Sequence, residues 1–210
     1  EEFIKNPQDI GEFVKYSRKI FAEYFTSSQA ELIWWPKFKN IFEGFLDCES
    51  GFKNAQNYTE IPAELIINEI SIKGKIDRVA HSENGDISII DYKTGQTASN
   101  KDVLSGAEPQ LTIAALMLIE GAIEGKMRNA DISEISSMAY WKISSSNKSE
   151  IKEVCKKNDE IQLLISAAKS GLAELFDHFS DDDNGYICAP DLKKYRENEY
   201  SHLARVKEWE

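Results

Sequence analysis

Cysteine is scarce in this chain. Cys48, Cys155 and Cys188 are odd in number, far apart, and form no Cys-x-x-Cys pair. A disulfide framework, a zinc site and a cysteine-ligated iron–sulfur cluster are therefore not expected. Reduced, buried thiols and a cytoplasmic location are. Long apolar runs are missing too: nothing approaches the roughly 20 residues of a membrane helix, and Glu1-Glu2-Phe3-Ile4-Lys5 contains no signal peptide. No membrane partner is expected. There is no initiating Met, which suggests a domain cut from a longer protein. Basic charge is also short, since 25 Lys and Arg against 36 Asp and Glu leave a net charge of −11. The balance counts against coating DNA by bulk electrostatics and does not exclude a local basic cleft.

What is present describes a folded domain, with 41% hydrophobic and 29% charged residues in 210. A chain of this size removes roughly 70% of its unfolded surface from water and needs no metal or disulfide staple to be stable. Over residues 10–25 the apolar positions Ile10, Phe13, Val14, Ile20, Phe21, Tyr24 and Phe25 recur at helical spacing. A second helix is expected over residues 29–46, broken or restarted at Pro36 because proline cannot donate the internal hydrogen bond. Trp34, Trp35, Phe38, Phe42 and Phe45 fall at helical spacing and read as core rather than as base-stacking residues.

From residue 61 to residue 93 the period changes to two. Residues 65–67, 70–79 and 87–93 read as a three-stranded meander, with Asn84-Gly85 signalling the hairpin turn between the last two strands. A polar loop follows, and Pro109 opens a helix carrying Leu111, Ala114, Ala115, Leu118 and Ile119. Residues 135–143 alternate as a fourth strand. A long helix is expected over residues 150–179.

The chemistry concentrates in Gly74-Lys75-Ile76-Asp77-Arg78-Val79 and Ile89-Ile90-Asp91-Tyr92-Lys93-Thr94-Gly95. Strand alternation puts Asp91 and Lys93 on one side, about 7 Å apart along the chain, and Tyr92 on the other. Ile87 and Ile89 share the face of the charged pair, where charges without partners are costly, so a salt bridge or a metal is expected. If the hairpin register sets Asp77 beside Asp91, the two carboxylates need a cation between them, and an oxygen shell suits Mg²⁺ or Mn²⁺. Lys93 could hold or deprotonate an attacking water, or stabilise charge developing on a phosphate. Taken alone, Asp-x-Lys is a surface ion pair of a hairpin.

The larger pattern favours the metal. Gly-Lys-Ile-Asp-Arg, then Ile-Ile-Asp-Tyr-Lys-Thr-Gly, then Gly106-Ala107-Glu108-Pro109-Gln110-Leu111 opening a helix resembles the RecB-type branch of the PD-(D/E)XK nuclease superfamily. The resemblance implies metal ligation by Asp77, Asp91 and the backbone carbonyl of Tyr92. It makes Lys93 catalytic, has Gln110 orient the site from the helix start and Arg78 support it, and gives Mg²⁺, replaceable by Mn²⁺, as cofactor. It also implies an α/β, restriction-endonuclease-like core, a central mixed sheet flanked by helices in the order α-β-β-β-α-β-α. The expected layout is an N-terminal helical segment over residues 1–60, the nuclease core over 61–180, and a C-terminal extension over 181–210 packing on that core. Lys73, Lys75 and Arg78 are the candidate DNA contacts around the cleft, and Glu64 is a further acidic candidate.

Outside the motifs, Trp35-Pro36-Lys37-Phe38, Ala139-Tyr140-Trp141 and the ending His202-Leu203-Ala204-Arg205-Val206-Lys207-Glu208-Trp209 look like the C-terminal nuclease domain of alphaproteobacterial AddB proteins. That likeness implies single-stranded DNA as substrate, double-strand break repair by recombination as setting, and an AddA-type helicase–nuclease subunit as partner. The rival reading is a catalytically silent nuclease-like module that binds DNA or acts as a scaffold. Three departures stand out. The family's upstream His matches none of His81, His178 and His202 and would precede residue 1; Ala114 stands where many relatives carry Tyr; and the three cysteines do not fit the cluster-binding set of some AddB proteins.

Two further patterns are discounted. Lys93-Thr94-Gly95 and Ser166-Ala167-Ala168-Lys169 occur in the reverse of the order that penicillin-binding enzymes use. Asp181-Asp182-Asp183-Asn184-Gly185 places Ser180 and Asp191 at the end positions of a calcium loop and reads as a solvated turn.

Overall fold

The computed structural model describes residues 10–24, 28–52, 54–127, 132, 134–145, 149–155 and 158–185. Helices α1 (Ile10–Tyr24) and α2 (Ser28–Glu49) come first, followed by strands β1 (Gln56–Ile67), β2 (Ile70–His81) and β3 (Ile87–Lys93). A short helix α3 (Asn100–Leu104) and α4 (Gln110–Ile119) cross over to β4 (Ser137–Lys142) and β5 (Glu150–Cys155), and α5 (Asn158–Ser180) ends the described chain apart from a turn. The five strands form one sheet in sequence order. Among the described strands only β3 and β4 pair in parallel, and the α3–α4 crossover that a parallel pair requires covers one face. The mixed sheet flanked by helices is the expected restriction-endonuclease-like α/β architecture.

Each face of the sheet has its own core. Val79, Ile87, Ile89, Met138 and Tyr140 pack under Leu111, Ala115 and Leu118 of α4 and Ile161 and Ile165 of α5. Ala80, Ile90, Ala139 and Trp141 on the opposite face meet Ile41, Phe45 and Cys48 of α2. The aromatic residues of α2 divide accordingly: Trp35, Phe38 and Phe42 pack against α1, with Phe13 and Phe42 stacked at 4.6 Å and Phe21 meeting Trp35 edge-to-face at 5.3 Å between centroids. Trp34 is not core, being 49% exposed, and Lys37 covers its ring at 4.6 Å.

Two further expectations are corrected. Pro36 lies inside α2 without ending it, the cost of about 3 kcal/mol for an interior proline being opposed by the ring packing on both sides. Residues 150–155 form the edge strand β5 rather than the start of the last helix. A bulge in β5, where Val154 is the extra residue facing the Met138–Ala139 step, leaves Val154 and Cys155 buried in succession, which breaks the two-residue alternation and mimics helical spacing. The expected boundary at residue 60 falls inside β1, whose first residue is Gln56. Residues 181–185 form the expected turn, Asn184 N–H donating to the Asp181 carbonyl at 3.0 Å, and residues 186–210 lie outside the described residues, with Cys188 and His202 among them.

The β1–β2 hairpin closes on Asn68 and Glu69, both at positive φ, as a two-residue turn of the type that matches strand twist. Midway along, both of its strands lose alternation. Tyr58 and Ile61 on β1, and Ile76 and Val79 on β2, are three residues apart yet belong to the same core. The break is centred on Glu60, at φ 53°, which lies between the paired residues Thr59 and Ile61 and thus across from Asp77. The outer hairpin therefore turns over α4, and the β2–β3 ladder ends at Arg78–Ile90, one position short of Asp77 and Asp91.

Candidate active site

Where β2 leaves β3, an open cleft of about 430 Å³ forms between the outer hairpin and the start of α4, lined by Lys73, Lys75, Asp77, Asp91, Glu108 and Gln110 among others. Asp91 is 5% exposed at the end of an apolar strand face. Its Oδ1 accepts from Gln110 Nε2 at 2.5 Å, and Lys93 Nζ donates to Gln110 Oε1 at 2.7 Å. The ring closes with Lys93 Nζ 2.8 Å from Asp91 Oδ2, an ion pair without hydrogen-bond alignment that leaves this buried oxygen unsatisfied. Gln110 can serve both neighbours because it is the first residue of α4, preceded by Pro109 at the N-cap, so its side chain leaves the helix at the sheet end.

Asp77 reaches the same place from β2. Its Oδ2 accepts the Tyr92 amide at 3.0 Å, replacing the ladder bond lost at the divergence. Amides and carbonyls of successive strand residues point to alternate edges. The Lys93 carbonyl takes the Ile143 amide on the β4 side. The Tyr92 carbonyl therefore points toward the β2 side, beside Asp77. Burial raises the Asp91 pKa above the ordinary carboxylate value, Lys93 and Gln110 oppose the rise, and the nearby charge of Asp77 adds to it.

Beneath the site, on the α2 face, Arg78 is wholly buried. Its guanidinium makes a two-pronged contact with Glu49 at 2.6 and 2.8 Å, and donates to Asn57 Oδ1 at 2.8 Å and to the Tyr92 hydroxyl at 3.1 Å. Phe52 and Trp141 flank it at 5.4 and 5.1 Å. Burial alone would lower its pKa, but Glu49 and Tyr92 more than compensate and hold it charged. Arg78 is thus corrected from DNA contact to internal support, because strand alternation turns it away from the cleft. It anchors the side chain whose backbone carries both the amide bound by Asp77 and the carbonyl beside it.

The sequence profile of the PD-(D/E)XK nuclease superfamily matches residues 1–195. The chain belongs to this superfamily. Members of this nuclease family generally depend on divalent metal ions. The PD-(D/E)XK chain is also similar to an uncharacterized protein of Rickettsia conorii, 28% identical over 94% of this chain and 25% of the relative. One from Rickettsia bellii is 32% identical over 72% of this chain and 19% of the relative, and one from Rickettsia typhi 34% identical over 62% and 15%. The chain therefore spans a quarter or less of the length of these relatives.

The donor atoms of this PD-(D/E)XK site fit a hard divalent cation. Asp91 Oδ2 is buried with the Lys93 ammonium 2.8 Å away but no aligned hydrogen bond, a second carboxylate is close enough to perturb it, and the Tyr92 carbonyl points to the same side. Among the described residues no cluster of three His, Cys, Asp or Glu could hold an ion. Two carboxylates and one carbonyl would suit a divalent ion that keeps several of its waters.

Of the other sequence candidates, Lys73 and Lys75 line the cleft on the hairpin side, but each already faces a carboxylate, Glu64 at 3.4 Å and Glu60 respectively. Glu64 is not brought to the site: it pairs across the hairpin with Lys73, where the Ser71 hydroxyl holds its carboxyl below the usual range. His81 lies at the far end of β2, opposite Ile87, and His178 meets the Phe179 ring edge-on in α5. Sequence reasoning missed Glu49, which no local pattern connects to Arg78. It also missed Tyr140, the in-register neighbour of Asp91, whose phenol burial pushes up to about 12, with Asp91 and Glu108 adding to the shift. No helix among the described residues is long and apolar enough to cross a membrane.

Proposed function

We propose that this chain is a metal-dependent deoxyribonuclease domain that hydrolyses phosphodiester bonds of single-stranded DNA. The observation that carries the reading is the buried, hydrogen-bond-deficient Asp91 carboxylate beside Asp77, the Tyr92 carbonyl and Lys93. Asp77, Asp91 and the Tyr92 carbonyl would hold Mg²⁺, or Mn²⁺ in its place. The ion supplies Lewis-acid stabilisation and a more acidic bound water. The protein's own part is positioning. Gln110 fixes Asp91 and Lys93 at 2.5 and 2.7 Å, and the Lys93 ammonium is placed to orient a nucleophilic water or to neutralise charge growing on the phosphate. Ile72, Ile76 and Leu111 give the cleft apolar walls beside these groups.

The likeness of the flanking segments to AddB supports a setting in double-strand break repair by recombination. There an AddA-type helicase–nuclease subunit would deliver a single strand in the cytoplasm. A net charge of −11 accords with a domain that receives DNA rather than capturing it.

The test compares the full chain with Asp91→Asn and Lys93→Ala on single- and double-stranded DNA. Mg²⁺-dependent cutting of the single strand should fall at least about a hundredfold in both variants. Mg²⁺ should raise the melting temperature of the parent and of Lys93→Ala but not of Asp91→Asn. A parent that binds DNA without cutting it in Mg²⁺ or Mn²⁺ would instead establish the silent-module reading.

A further inference from the structure

Pairing in register sets side chains of β3, β4 and β5 side by side on the face of the cleft. Asp91, Tyr140 and Lys152 form one such row, and Lys93, Lys142 and Glu150 form the next. The second row lies where the parallel strands β3 and β4 end, and open α/β sheets bind their ligands outside the carboxyl ends of parallel strands.

The two neighbouring lysines are tied differently. Lys93 folds back over the site, 2.7 Å from Gln110, 2.8 Å from Asp91 and 5.9 Å from the Tyr140 ring centroid. Lys142 has a side chain 33% exposed, and it meets Glu150 at 4.0 Å, the outer limit of an ion pair, with that carboxylate 62% exposed. A pair so open to water contributes little, so the ammonium exchanges partners at little cost. The backbone beneath it is nonetheless fixed. Ile143 N–H donates to the Lys93 carbonyl at 2.8 Å, and Asn40 Nδ2 donates to the Ser145 carbonyl at 3.3 Å. Lys152, in the other row, is already committed to the Ala98 carbonyl at 2.7 Å.

We infer that Lys142 is a substrate-positioning residue whose ammonium binds a backbone phosphate of the DNA strand next to the one addressed by Lys93. The inference rests on the nuclease reading above and gives the strand a path, across the carboxyl ends of β3 and β4 toward the β4–β5 edge. Lys73 and Lys75 bound the opposite wall of the cleft.

The experiment uses the full chain with Lys142→Ala, Lys142→Arg and Lys142→Glu, and Lys169→Ala as a charge-matched control that pairs with Glu120 away from the site. Binding of a fluorescent single-stranded oligonucleotide is measured in EDTA across about 50–200 mM salt, and cleavage is measured in Mg²⁺. In Lys142→Ala, Kd and KM should rise about fivefold with kcat nearly unchanged, and the slope of log affinity against log salt should shrink by about 0.7, one phosphate contact. Arg should restore both, Glu should be worse than Ala, and the control should match the parent. An unchanged salt slope in Lys142→Ala, or a loss that Arg does not recover, overturns the role of Lys142 while leaving the nuclease reading intact. A parent that neither binds nor cuts DNA overturns both.

Discussion

Replacing Arg78 by Met should be among the most damaging single changes in this domain. The guanidinium is wholly buried and satisfies Glu49, itself buried, through two contacts of 2.6 and 2.8 Å. Methionine keeps much of the volume between Phe52 and Trp141 but leaves the Glu49 carboxylate buried without its counter-charge. Removing one partner of such a pair costs about 3–5 kcal/mol, against a total stability of roughly 5–15 kcal/mol for a domain. Asn57 and the Tyr92 hydroxyl lose a donor as well. With a urea m value of about 2 kcal/mol/M, a loss of 4 kcal/mol moves the unfolding midpoint down by about 2 M. Tryptophan fluorescence reports the transition, because Trp141 is wholly buried against the substituted group. The double variant Arg78→Met/Glu49→Leu removes both charges and should recover at least about 2 kcal/mol relative to additivity. A single variant within about 1 kcal/mol of the parent, or a double-mutant cycle with no coupling, would refute the assignment of this pair as the support of the site.

Three other outcomes are expected. Gly44→Ala places a Cβ into the Ser149 side chain, so it should destabilise by about 1–3 kcal/mol despite the better helix propensity of alanine, and Ser149→Gly should relieve the loss. For Tyr140 the folded phenol, at about 12, lies above its ordinary value of 10.0, so the folded state holds a proton that the unfolded state has released between these values. Stability should therefore fall as pH rises from 10 to 12, and urea midpoints for Tyr140→Phe should fall less over that window if the assignment is right. The Cys155 thiol is buried and its pKa is raised, chiefly by that burial, and Cys48 is buried as well. Mass-mapped alkylation of both should stay slow at pH 8 in the native protein and become rapid in urea, and fast native labelling of either would contradict the packing of the core it belongs to.

The chemistry of the site was legible in the chain because it is written on short, regular pieces. Alternation in β3 fixes Asp91 and Lys93 on one face and Tyr92 on the other whatever the rest of the fold does. Pro109 marks the start of the helix that presents Gln110. The meander and its Asn84-Gly85 turn follow from local preference alone. Where local rules misled, long-range packing had overridden them. Pro36 is carried inside a helix by its aromatic neighbours, and the bulge within β5 gives a strand the spacing of a helix.

Tertiary structure settled what depends on contacts between distant segments. No spacing announces that Glu49 lies against Arg78, that Glu60 sits across from Asp77, or that Lys142 ends its strand beside Lys93. Asp77 does not pair with Asp91 along the ladder. The hairpin breaks its alternation just there, and the carboxylate turns to the Tyr92 amide instead. The sequence by itself determined which groups could do the chemistry, since residue type and strand parity are local properties. The fold decided where they converge and what holds them, because register, crossover and burial are set by the sum of many weak contacts across the whole chain.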